Sequence, residues 1–129
     1  MPSEPVLIVD DNPQNLKLAR LLLTAEGYDA RTAVDAEHAL SVLEEFTPRL
    51  ILMDIQLPGM DGLELTRRLK SEPATRGIVI VALTAYAMKG DEEKARAAGC
   101  DGYIAKPIDV GTLPQAVAQY LQPRGGDGG

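Results

Sequence analysis

The sequence predicts an α/β domain built on a parallel sheet. Short, unbroken apolar runs rich in branched residues, Val6 to Val9, Leu50 to Met53 and Ile78 to Leu83, suit strands buried on both faces. Segments with helical spacing of small and apolar residues alternate with them. The chain therefore reads as successive βα units, and right-handed crossovers place helices on both faces of the sheet.

Taken in order, the first strand is Val6-Leu7-Ile8-Val9. In the helix that follows, Asn12 can cap the free N–H groups, Pro13 suits the first position, and Leu16, Ala19 and Leu23 line one face. Gly27 falls where that helix should stop. Asp29 to Ala33 alternates polar and small residues, which fits a sheet edge. Ala36, Ala39, Leu40 and Leu43 repeat at i, i+3, i+4 and i+7 in the second helix. The third strand is Leu50 to Met53, and Leu65 with Leu69 marks the third helix. After the fourth strand, Asp91, Ala95 and Ala98 mark a helix that Gly99 ends. Gly102-Tyr103-Ile104-Ala105 is short and fits the other edge. Thr112-Leu113-Pro114-Gln115 has capping-box spacing and opens a last helix through Leu113, Ala116, Val117 and Tyr120.

A chain of 129 residues suits one domain, predicted over 1–122, with a flexible glycine-rich tail at 123–129. Its 45% hydrophobic content is enough for an ordinary core. With 19 acidic against 13 basic residues the net charge is −6, which argues against nucleic acid as a direct ligand. A divalent cation or a basic partner surface stays open. The single cysteine, Cys100, cannot form an internal disulfide, and it reads as a packed side chain in a reducing compartment. Nothing at the start resembles a signal peptide, and no apolar stretch approaches the roughly 20 residues that span a bilayer. A soluble, cytoplasmic protein is expected, with no membrane partner.

In an open parallel α/β sheet, ligands gather at the carboxyl ends of the strands. Strand one ends in Asp10-Asp11, strand three in Asp54, strand four in Thr84 and strand five in Lys106-Pro107. Asp11 alone could merely favour a helix start. That does not explain Asp10, nor Asp54 after an apolar run. Neighbouring strands lie ~4.8 Å apart, which brings the three acids close together. Two like charges ~4 Å apart repel by about 4 kcal/mol at a dielectric of 20. A hard dication relieves that repulsion, and Mg²⁺ held by a few carboxylates and several waters is the usual arrangement beside phosphates. Lys106 can neutralise a phosphoryl oxygen as a compact point charge, and the Thr84 hydroxyl can donate to another. Each signal alone has an ordinary structural explanation, as a surface lysine or a strand-end threonine; the set on one rim does not.

Four motifs carry a resemblance. They are Val9-Asp10-Asp11-Asn12, the run Leu52-Met53-Asp54-Ile55-Gln56-Leu57-Pro58-Gly59-Met60-Asp61-Gly62, Ala82-Leu83-Thr84-Ala85, and Tyr103-Ile104-Ala105-Lys106-Pro107-Ile108. Together they resemble the CheY-like receiver domain of response regulators, from about Val6 to Leu121. The resemblance implies a five-stranded parallel sheet in the order 2-1-3-4-5 with five helices on both faces. The polar edges and apolar centres agree with that order.

The resemblance also implies roles. Asp54 would be the phosphoacceptor. Asp11, Asp54 and the backbone carbonyl of Gln56 would bind Mg²⁺, with Asp10 reaching it through water. Thr84 and Lys106 would hold the phosphoryl oxygens, and Lys106-Pro107 would be a cis peptide. Pro58-Gly59 and Gly62 would shape the loop beside the site, while Gln56 and Tyr86 would flank the water that hydrolyses the bond. Thr84 and Tyr103 would switch the face of the fourth helix, fifth strand and fifth helix toward an effector or kinase. The donor would be a histidine kinase or a histidine phosphotransfer protein. His38, the sole histidine, lies away from the rim and reads as a surface residue. The segment Ala85-Tyr86-Ala87-Met88-Lys89-Gly90-Asp91 is similar to that of stand-alone, DivK-like receivers, which modulate kinases. Such a domain is a regulatory phosphoacceptor, an enzyme only toward its own phosphorylation and dephosphorylation.

Other readings use the same strand-end carboxylate or the same fold. A receiver can act mainly as a phosphate shuttle or sink. A phosphatase of the haloacid dehalogenase class needs a second Asp two residues after the nucleophile, where this chain has Gln56. An FMN carrier needs a phosphate loop after strand one, where Asp10 and Asp11 would repel the phosphate. A purely structural binding module leaves the acidic rim unexplained.

Overall fold

The computed structural model describes residues 4–55, 62–84, 89–105 and 111–121, apart from the side chains of 89–92. The elements run β1 (Pro5–Val9), α1 (Pro13–Ala25), β2 (Asp29–Ala33), α2 (Ala36–Leu43), β3 (Leu50–Asp54), α3 (Gly62–Ser71), β4 (Val79–Thr84), α4 (Lys89–Ala98), β5 (Gly102–Ala105) and α5 (Leu113–Leu121). The strands form one sheet in the order β2-β1-β3-β4-β5, and every pairing is parallel. This is the α/β architecture that the sequence pattern predicts and the strand order that the resemblance implies.

Alternation along the strands divides the core between two faces. Leu7, Val9, Ile51, Met53, Ile80 and Ala82 pack with Ala36 and Ala39 of α2, Leu65 and Leu69 of α3, and Ala95 of α4. Val6, Ile8, Leu50, Leu52, Val81 and Leu83 pack with Leu16, Ala19 and Leu23 of α1 and with Leu113, Val117 and Leu121 of α5. The central strand β3 is buried at every position, which is why its sequence shows no polar alternation. Each fully buried Leu or Ile there contributes about 1.5–3 kcal/mol relative to exposure. The edge strand β2 alternates, with Ala30 and Ala33 buried and Asp29 and Arg31 exposed.

The helix ends follow the sequence signals. Asn12 accepts from the Gln14 and Asn15 backbone N–H groups at 2.9 and 3.2 Å. Gly27 and Gly99 take positive φ values of 95° and 109°. At α1 the Gly27 N–H reaches Thr24 O at 3.0 Å and the Tyr28 N–H reaches Leu23 O at 3.0 Å. At α4 the Gly99 N–H reaches Arg96 O at 3.0 Å and the Cys100 N–H reaches Ala95 O at 2.9 Å. Both helices thus stop in the same paired motif, which a glycine adopts without strain. At the start of α5, the Ala116 N–H reaches Thr112 O at 2.9 Å.

A polar clip that the sequence patterns do not reveal closes the end of the sheet opposite the strand carboxyl ends. The Lys70 ammonium donates to Ile78 O at 2.7 Å, to Arg76 O at 3.2 Å and to Asp101 Oδ2 at 2.9 Å. Asp101 Oδ2 also accepts from the Ile80 N–H at 2.8 Å. One lysine therefore ties the end of α3 to the start of β4 and to the turn between α4 and β5.

Candidate functional site

Strand register builds the site. Val9 pairs with Met53, so Asp10 and Asp54, the next residue along each strand, stand side by side where β1 and β3 end. Asp54 pairs with Leu83, which puts Thr84 one step beyond, and Thr84 pairs with Ala105. Asp11 follows directly on the turn into α1. Carboxylate oxygens of Asp10, Asp11 and Asp54 all lie within 4.8 Å of one another. Asp10 and Asp54 are buried, at 0% and 4% exposure, whereas Asp11 is exposed. Thr84 is buried on the same rim.

The two buried acids are placed differently. Asp10 accepts from the Asn12 N–H at 2.8 Å and from Asn15 Nδ2 at 3.3 Å, while its own N–H bonds Ala33 O at 3.1 Å. Both of its side-chain oxygens therefore have protein donors, which suits a carboxylate that steadies a cation through water. Asp54 stands between Asp10 and the rim of β4 at the foot of α3. An additional methyl group on Gly62, the first residue of α3, would overlap the Asp54 carbonyl oxygen. The helix start thus lies directly against the backbone of Asp54.

The donor set fits a hard cation. Three oxygen ligand groups converge, two of them out of bulk water, and neither histidine nor thiol takes part. Repulsion at this spacing costs several kcal/mol unless a positive charge or a proton offsets it.

Other residues marked in the sequence are distributed as follows. Tyr103 is half-buried on β5 and packs against the cluster beneath α2, α3 and α4. His38 is exposed near the end of β2, and its Nδ1 accepts from the Val34 N–H at 3.2 Å; it is not among the groups that converge with the acids. Cys100 is buried at 8% exposure, and burial pushes its thiol pKa up. Gln56, Pro58, Gly59, Tyr86, Lys106, Pro107 and the tail at 123–129 lie outside the described residues. Thr66 is the feature that sequence reading missed. It is fully buried, and its hydroxyl donates to Gly62 O at 2.7 Å. A single threonine beside Leu65 gives no periodic signal that could have marked it.

Comparison with known proteins agrees with this geometry. Residues 6–118 match the model of the response regulator receiver domain. The chain is 47% identical over 116 residues to the polar-differentiation response regulator DivK of Brucella anthropi, covering 90% of this chain and 94% of that protein. It is 46% identical to DivK of Brucella ovis over 92% of this chain and 97% of that one. Among solved structures it resembles the chemotaxis response regulator CheY4 of Vibrio cholerae, with a TM-score of 0.87 and 25% identity over 92% of this chain and 99% of that chain. It also resembles the receiver domain of a sensor histidine kinase from Pseudomonas aeruginosa, solved with a magnesium ion in its active-site cleft. That match has a TM-score of 0.84 and 32% identity over 94% of this chain and 99% of that chain. The chain belongs to the response regulator receiver family and is a DivK-like receiver domain of two-component signalling.

Proposed function

We propose that Asp54 is the phosphoacceptor of this receiver and that Asp11, Asp54 and the backbone carbonyl of Gln56 hold Mg²⁺, with Asp10 acting through water. The observation that carries this reading is the approach of three carboxylates to within 4.8 Å, with Asp54 buried at the end of β3. When bound, Mg²⁺ offsets the charge of the three acids and of the phosphoryl oxygens.

The chain's own residues then do the positioning. A carboxylate oxygen of Asp54 attacks the phosphorus of a phosphohistidine on a kinase or phosphotransfer protein. The P–N bond breaks, its electron pair stays on the imidazole, and an acyl phosphate forms. The Thr84 hydroxyl and the Lys106 ammonium hold the phosphoryl oxygens. Water later cleaves the acyl phosphate, so the mark is temporary, and Gln56 and Tyr86 tune its lifetime. The domain assists no reaction other than its own phosphorylation and dephosphorylation.

Output is conformational. Thr84 responds to the phosphoryl group, and Tyr103 changes its packing on β5. The face of α4, β5 and α5 is thereby remodelled for an effector or kinase partner. The similarity to DivK supports such a protein partner rather than nucleic acid, as does the net charge of −6.

The test is intact-mass analysis after incubation with a small acyl-phosphate donor and Mg²⁺. The wild type gains one phosphoryl group, and the gain is lost with a chelator or in Asp54→Asn. Equal labelling of Asp54→Asn contradicts the assignment.

A further inference from the structure

The Thr66 hydroxyl has no obvious place in the core. It is fully buried on α3 among Leu65, Leu69 and the residues beneath them, where valine would occupy nearly the same volume without a polar atom. A buried hydroxyl is tolerated only when bonded. This one donates to Gly62 O at 2.7 Å and accepts from the Cys100 thiol at 3.9 Å. Bonding from a threonine to the carbonyl four residues back slightly destabilises and bends a helix, so helix stability does not explain it.

Its placement does. Gly62 is both the acceptor of that bond and the residue lying against the phosphoacceptor strand. A Cβ on Gly62 would lie 2.8 Å from Ile55 Cα and 2.9 Å from the Asp54 carbonyl carbon. The Gly62 N–H also donates to Ile55 O at 3.3 Å. The first turn of α3 is thus held from two sides. Its backbone lies on the Asp54–Ile55 junction, and Thr66 anchors its carbonyl to the buried Cys100 between α4 and β5.

We propose that Thr66 is a positioning residue for phosphorylation of Asp54, acting by fixing the Gly62 peptide against the strand end that carries the carboxylate. The proposal rests on Asp54 being the phosphoacceptor. Rotation of the Gly62 peptide moves the backbone of Asp54 relative to Asp10 and Asp11, and small displacements of reacting groups are costly in rate. Thr66 touches neither donor nor cation.

The experiment compares initial rates of phosphorylation by a small acyl-phosphate donor and Mg²⁺ in the full chain. Thr66→Val slows labelling about tenfold, since a misplacement of ~1 Å costs about a hundredfold. Thr66→Ser, which keeps the hydroxyl, restores the rate. Leu23→Val, a core substitution on the opposite sheet face, lowers thermal stability and leaves the rate unchanged. If valine prevents folding, Thr66→Ala shows the same slow labelling. Wild-type labelling at Asp54 with an unchanged rate in Thr66→Val overturns the proposal and leaves the phosphoacceptor assignment standing. Slow labelling in Thr66→Ser or equally in Leu23→Val also overturns it, because shape or stability would then be the cause. A wild type that takes no phosphoryl group sinks the assignment and the proposal together.

Discussion

Gly62 lies with its α-carbon against the carbonyl of Asp54, so closely that no side chain fits between them. The first turn of α3 and the last residue of β3 are therefore one packed unit. A methyl group at position 62 must push the helix or the strand end aside. Gly62→Ala should lower unfolding free energy by about 1–3 kcal/mol, the usual cost of overpacking. It should also slow phosphorylation of Asp54 beyond what the lost stability explains. Denaturant unfolding with parallel labelling rates checks both, and an alanine variant with wild-type stability would show that the contact is slack.

The acids should not contribute equally to cation binding. Asp11 is exposed and aims at the shared space, whereas both oxygens of Asp10 accept from Asn12 and Asn15. Asp11→Ala should weaken Mg²⁺ binding by more than Asp10→Asn, whose loss should lie near the 10–100-fold of an outer-sphere ligand partner, in order of magnitude. Calorimetric titration with MgCl₂ gives both values. The reverse ranking would make Asp10 the direct ligand.

The clip at the far end of the sheet should bear on stability and not on phosphorylation. Lys70→Met leaves the carbonyls of Arg76 and Ile78 and the carboxylate of Asp101 without their shared donor. The expected loss is about 1–3 kcal/mol with the phosphorylation rate unchanged. Thermal unfolding beside a labelling assay tests this, and an unchanged midpoint would mean that water substitutes for the ammonium.

Much of this architecture is legible in the sequence because it depends on local pattern. Leu50 to Met53 reads as a central strand because a strand covered on both faces can carry no polar residue. The site is legible for the same reason, since Asp10, Asp54 and Thr84 each follow directly on, or end, an unmistakable apolar run. What escaped depends on contacts between distant positions. Lys70 and Asp101 are 31 residues apart, and Thr66 and Cys100 are 34 apart. No periodicity links such pairs. Thr66 in particular sits where a β-branched apolar residue would give the same helical pattern, so its bond to Gly62 appears only once the helix is placed.

Cys100 is a packed thiol whose pKa burial raises. The native state therefore holds the thiol proton more tightly than the unfolded chain does. The associated stability is fully present below the ordinary thiol range and is lost as pH rises through the raised value. Alkylation of Cys100 should be slow in the native protein and fast after unfolding, and unfolding midpoints should fall at alkaline pH by more in the wild type than in Cys100→Ala. Rapid native alkylation would mean that the thiol is reachable.

The central claim is that the crowded carboxylates at the ends of β1 and β3 make Asp54 the acceptor. Borohydride reduction converts an acyl phosphate to the corresponding alcohol, which marks the residue that carried it. After treatment with an acyl-phosphate donor and Mg²⁺, peptide sequencing by mass spectrometry should find homoserine at position 54 and aspartate at positions 10 and 11. Reduction at position 10 or 11, or a phosphoryl group recovered on His38, would contradict the account.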